Sequence, residues 1–90
     1  MEKYIFHKIK QVQALDDYKL KVKFLSDECK IYDLSQLRKY SDFKILLSTP
    51  QLFKNVKVSQ GGYGIEWNDK LDLSCNELYY NGKAIDKETR

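Results

Sequence analysis

The sequence predicts a small single α+β domain. Its antiparallel sheet is built from a β-meander and a second hairpin, with short helices between them and a C-terminal helical turn. Three observations predict this. Tyr18, Leu20, Val22 and Phe24 alternate with Lys19, Lys21 and Lys23, so an apolar set faces one way and three lysines the other. Ser26-Asp27 and Gln60-Gly61-Gly62 each separate two strand-like runs, as hairpin turns do. Between the hairpins, Ser35 and Thr49-Pro50 are helix starts.

Taken in order, Lys8–Leu15 places apolar residues at 9, 12 and 15 and runs through Asp16-Asp17 directly into the alternating strand. A strand with a bulge fits this better than a helix. With the runs at Tyr18–Leu25 and Glu28–Leu34 it completes a three-stranded meander with one wet face. The lysine row also discourages edge pairing; anion binding is its alternative use. Ser35 caps one or two helical turns to Tyr40. Phe43, Leu46 and Leu47 have helical spacing. Thr49 caps a second short helix with Pro50 at its first position, ending near Asn55 and anchored by Leu52 and Phe53.

Val56–Ser59 and Tyr63–Trp67 form the second hairpin, and Leu71–Leu73 a brief strand after the Asn68-Asp69 turn. Ser74 and Glu77 have the spacing of a capping box, and Asn81-Gly82 stops the helix that follows. Residues 83–90 are polar and read as a frayed tail. The predicted core is Leu20, Val22, Phe24, Ile31, Leu46, Phe53, Val56, Val58, Ile65, Trp67, Leu73 and Leu78.

Ninety residues hold one core, so 1–90 is one domain. Aromatic residues at 13% exclude a disordered chain. No apolar run approaches the roughly 20 residues that cross a bilayer. The N-terminus lacks the apolar stretch and cleavage site of a signal peptide, so a cytoplasmic protein without membrane association is expected. Cys29 and Cys75 form no CxxC pattern and are expected to be reduced thiols.

Seven tyrosines supply a surplus of amphipathic rings. Tyr32, Tyr63, Tyr79 and Tyr80 are the candidate interaction surface, because such rings are favoured at protein interfaces. Packing at the core edge, or stacking with Trp67 on single-stranded nucleic acid, are the alternatives. The net charge of +3 is uneven: residues 38–57 hold Arg38, Lys39, Lys44, Lys54 and Lys57 against Asp42 alone. These five are a candidate basic patch for phosphates or an acidic protein, and otherwise a solvated face beside two helices.

Other motifs fall short of chemistry. Gly61-Gly62-Tyr63-Gly64 lacks the GxxxxGK[ST] phosphate-loop pattern and reads as a turn. His7, the sole histidine, has no neighbouring Cys or second His with which to hold a metal. Glu66, Asp69, Asp72 and Glu77 surround Trp67, and a small enzyme around Glu66 and Asp72 is the minor alternative to turn and cap roles. No catalytic residue, cofactor or metal is therefore assigned.

Several segments carry a resemblance: Leu15–Phe24, Tyr32–Ser35, Leu52–Val56, Gly64–Trp67, and Leu71–Leu73 with Leu78-Tyr79. Over roughly residues 8–82 their order and spacing resemble a bacterial family of domains of unknown function, numbered 2442. The resemblance implies a small α+β domain, similar to the N-terminal domain of a Nitrosomonas protein of unknown function. Some members carry a helix-turn-helix domain behind this one; with the chain ending at Arg90, DNA binding by that route is not expected. Members are often encoded beside another small protein, which suggests a toxin–antitoxin arrangement. The family implies no catalytic residues. Asn68 after Trp67 and Asp27-Glu28 in the first hairpin depart from its common pattern only in turns.

The expected role is a non-enzymatic binding module, antitoxin-like within a two-gene pair, whose partner is another protein or a second copy of itself. The alternative is an accessory nucleic-acid-binding or regulatory domain using the basic patch.

Overall fold

The computed structural model describes residues 6–68 and 71–84. The expected α+β organisation is present, but its β-structure is two antiparallel sheets. Strands β1 (Ile9–Ala14), β2 (Lys19–Phe24) and β3 (Cys29–Asp33) form the meander. Helices α1 (Ser41–Ser48) and α2 (Pro50–Phe53) cross to β4 (Lys57–Val58), β5 (Gly64–Asn68) and β6 (Leu71–Ser74), which make the second sheet. Helix α3 (Cys75–Asn81) then leads to β7 (Lys83–Ala84), which returns to the first sheet beside β3.

The alternation in β2 works as expected: Leu20, Val22 and Phe24 are buried in the core. The expected bulge in β1 is also present. Ile9 pairs with Phe24 and Gln11 with Lys23, leaving Lys10 as the extra residue. That insertion explains the three-residue spacing, because it turns both Ile9 and Val12 toward the core. The β1–β2 turn holds Asp17 and Tyr18 at φ 62° and 59°, and the β2–β3 turn holds Asp27 at φ 76°. Asp adopts this left-handed region more readily than most residues, which suits it to both turns.

The phase of β3 differs from expectation. Leu20 pairs with Tyr32 and Lys21 with Ile31, so Tyr32 shares the core face and Ile31 the outer one. Tyr32 and Leu34 are fully buried, whereas Ile31 is half-buried and outside the core cluster. Ile9, Leu37, Leu71 and Cys75 also belong to the core, while Val56, Val58 and Leu73 pack against it half-buried.

Three helix caps differ in detail. The turn after β3 is a 3₁₀ turn over Leu34–Leu37, and its cap is Asp33, not Ser35. The Asp33 carboxylate accepts from the Ser35 N–H (3.0 Å) and hydroxyl (2.7 Å). Thr49 makes no side-chain cap to α2, although Pro50 does open that helix. Ser74 caps α3 by accepting from the Glu77 N–H (3.1 Å), but the Glu77 carboxylate does not close a capping box. It accepts instead from the Tyr32 hydroxyl (2.8 Å), joining α3 to the first sheet.

Trp67 ties the second sheet to the helices: its indole N–H donates to the Phe53 carbonyl at 3.0 Å. Gly62, at φ +80°, packs on β1 so closely that a Cβ would lie 2.8 Å from the Ile9 carbonyl oxygen. This is the seam where the second sheet meets the first. Gly82 does end α3, yet at φ −90° it uses no left-handed cap. Glycine is required there because a Cβ would lie 2.6 Å from the Leu78 carbonyl oxygen. Lys83 and Ala84, expected in a frayed tail, pair with Ile31 and Lys30; the rest of that tail, 85–90, and Asp69 lie outside the described residues.

Candidate interaction surface

The structure brings three of the four candidate tyrosines onto one surface and excludes the fourth. Tyr32 is fully buried and bonded to Glu77, so its assignment to the surface is corrected. Desolvation, reinforced by the Glu77 hydrogen bond, pushes the Tyr32 hydroxyl pKa far upward. Tyr63 and Tyr80 are exposed at 47% and 66%, and Tyr79 is half-buried beside Tyr80.

The link between them is the segment Phe6–Lys8, which precedes β1. The His7 backbone N–H donates to the Asn76 side-chain oxygen (2.9 Å), fixing the segment on α3. Phe6 meets Tyr63 edge-to-face at 5.3 Å. The His7 ring lies flat on Tyr79, with centroids 3.5 Å apart and planes 2° apart. It also meets Tyr80 edge-to-face at 5.4 Å, with Nε2 and the Tyr80 hydroxyl 3.2 Å apart. Tyr79 also meets buried Phe24 edge-to-face, with centroids 5.2 Å apart. The result is an aromatic band from Tyr63 through Phe6 and His7 to Tyr79 and Tyr80.

Two cations flank the band. The Lys8 ammonium sits 4.8 Å from the Tyr63 ring centroid, and that of Lys30 lies 3.6 Å from Tyr79 and donates to its carbonyl. Ammonium groups over ring faces are attracted by the π quadrupole. A hydrogen bond to the Glu28 carboxylate, aided by desolvation, raises the Tyr79 hydroxyl pKa.

The candidate basic patch is spread over several elements. Arg38 and Lys39 follow the 3₁₀ turn, Lys44 lies on α1, Lys54 follows α2 and Lys57 is in β4; all five are exposed. Lys39 sits over Tyr40 (5.4 Å), and Lys57 pairs with Glu66 (3.7 Å).

Glu66 and Asp72 face each other across β5 and β6 in an open cleft of about 450 Å³, lined also by Ser59 and Ser74. Glu66 accepts from the Ser59 hydroxyl (3.0 Å) besides pairing with Lys57. Glu77 is not part of this cleft, being taken by Tyr32 and the α3 cap. Both cysteines are free thiols; Cys75 is buried, which pushes its pKa up. Among the described residues, no group of three or more His, Cys, Asp or Glu side chains could hold a metal.

Phe6 and His7 are the surface residues that sequence reasoning missed. Their signal was a histidine within an aromatic run at the start of the chain, but its partners lie about seventy positions away.

Fold and surface together define a small two-sheet α+β domain with an aromatic band. The chain belongs to the family described as Protein of unknown function (DUF2442), whose sequence profile matches residues 9–84. A similar solved structure is that of the Nitrosomonas europaea protein NE0471, described as a "Putative DNA Binding Protein". It is 28% identical with a TM-score of 0.70, and the match covers 89% of this chain and 50% of that one. The chain thus spans half the length of that protein. No curated protein matches it. Among the described residues, no helix is long and apolar enough to cross a membrane.

Proposed function

We propose that this domain is a non-enzymatic binding module that docks a protein partner through the band formed by Phe6, His7, Tyr63, Tyr79 and Tyr80. The carrying observation is that these rings hold one another in place while Phe6, Tyr63 and Tyr80 stay about half or more exposed. Preordered aromatic rings lose little conformational freedom on binding and are favoured as interface anchors. The ring arrangement favours a protein over stacked bases. Tyr79 has His7 on one face and Lys30 over its ring, and Tyr63 has a lysine over its ring. Those ring faces are what base stacking would need.

As partner we nominate a small protein encoded beside this one, the arrangement the family resemblance implies, with this chain as the antitoxin-like member, in the cytoplasm. The test is co-purification and calorimetry with that product. We expect a stoichiometric complex, weakened at least tenfold by a Tyr63→Ala/Tyr80→Ala variant that keeps the native circular dichroism spectrum. Unchanged affinity in that variant would remove the band from the proposal.

A second reading, nucleic-acid binding, draws on the exposed Arg38, Lys39, Lys44, Lys54 and Lys57 and on the description of the Nitrosomonas protein. Its mark would be affinity for DNA that falls steeply with salt and with charge reversal at those five positions.

A further inference from the structure

The outer face of the four-stranded sheet carries a feature that the aromatic band does not use. Lys21 and Lys23 point to this side of β2, about 7 Å apart along the strand. On β1 their cross-strand neighbours are Gln13 and Gln11; on β3 they are Ile31 and Cys29. Gln11, Gln13, Lys21, Lys23 and Cys29 line a hollow of about 180 Å³. Lys83, in β7, pairs with Ile31 and so joins the same face.

The charge here is uncompensated in a way that other lysines on these sheets are not. Lys10 pairs with Asp27 at 3.6 Å, and Lys57 with Glu66. Lys19 stands opposite Asp33, whose pKa it helps to lower. Lys30 and Lys8 lie over tyrosine rings. The Glu28 carboxylate acts on the Tyr79 hydroxyl, whose pKa it raises, and is not among the residues lining the hollow. Among the described residues, the Lys21, Lys23 and Lys83 side chains have no ion pair, hydrogen bond or ring contact. Like charges on one strand face repel, so an anion between them gains attraction from both. The two glutamine amides add neutral donors, and no carboxylate lines the hollow.

We propose that this hollow binds an oxyanion of the phosphate class, held by the ammonium groups of Lys21 and Lys23, with Lys83 reinforcing the field and the Gln11 and Gln13 amides as further donors. The site lies on the sheet face opposite the core and is independent of the proposed protein interface.

The test is titration of the ¹⁵N-labelled protein with sodium pyrophosphate at low ionic strength. Saturable shifts are expected at the Lys21–Lys23 and Cys29–Ile31 amides, together with slower alkylation of Cys29 by iodoacetamide. Buried Cys75 serves as the internal control. A Lys21→Gln/Lys23→Gln variant should bind roughly tenfold or more weakly, as expected when charged donors are removed. Ser41→Glu/Gln51→Glu, which lowers the net charge equally at exposed positions of α1 and α2, should leave the affinity unchanged. Linear, non-saturating shifts, or equal weakening by both variants, would overturn the proposal. The same titration with a short DNA duplex distinguishes the source. Shifts at the same amides that pyrophosphate competes away identify backbone phosphates, and pyrophosphate binding without duplex binding identifies a free phosphate compound.

Discussion

The His7 imidazole and the Tyr79 phenol ring stack 3.5 Å apart and within 2° of parallel, joining the chain's N-terminal segment to its last helix. Tyr79 also carries the Lys30 ammonium over its ring. Removing the imidazole therefore loosens the middle of the band and leaves Tyr79 short of a contact.

His7→Ala should cost about 0.5–1.5 kcal/mol of stability, the usual worth of an aromatic pair. His7→Phe should recover most of this, because the stack needs a flat ring. Urea denaturation of the three proteins measures the difference.

Tyr32→Phe leaves the Glu77 carboxylate without its hydroxyl donor and should cost about 1–3 kcal/mol. It should also change the response to alkali. The folded-state pKa of Tyr32 is raised above its ordinary value of 10.0, so the protein holds this proton more tightly when folded. Stability is therefore intact below about pH 10 and is lost as the pH rises beyond it. Between about pH 10 and 12, wild type should lose stability faster than the Phe variant, by thermal melts followed across that range.

Asp33 gives the opposite sign. Its hydrogen bonds from Ser35, with Lys19 and Arg38 nearby, lower its pKa below 3.8, against a smaller opposing effect of desolvation. The stability it contributes is present above the unfolded-state pKa and lost as the pH falls through the folded one. Asp33→Ala should cost about 0.5–2 kcal/mol at pH 7, the range for a lost helix cap. That difference should shrink as the pH falls below about 4, measured by denaturant midpoints.

Gly62→Ala should be among the more damaging single-methyl changes. The new Cβ meets the Ile9 carbonyl oxygen and sits on a backbone with φ +80°. A loss of about 1–3 kcal/mol is expected, with amide shifts in β1 as the local sign. Gly61→Ala, equally left-handed but exposed and facing the Tyr63 side chain, should cost less.

Local signals made much of this fold readable. The alternation of β2, the bulge in β1 and the glycine turn before β5 each follow from residues within a few positions. Where reading failed, the deciding partner was distant. Ile31 and Tyr32 are both apolar enough for a core, and only pairing with β2 decides which faces inward. Two-residue β7 has no period to detect and exists because β3 offers it an edge. Of the candidate site, Tyr63, Tyr79 and Tyr80 were legible as surplus rings, but spacing cannot show that Phe6 and His7 join them. His7 is of a residue type that binds metals, whereas its partners are tyrosines on α3.

The pairing of β7 with β3 sets an order of events during synthesis. The meander is complete once residue 33 has been made, yet its β3 edge is covered only after residue 84 follows. Throughout that interval the nascent chain exposes an unpaired strand edge, the kind of surface at which neighbouring chains exchange strands. Lys83 and Ala84 cover that edge at Ile31 and Lys30, so pairing on this side of the sheet waits for the last residues described.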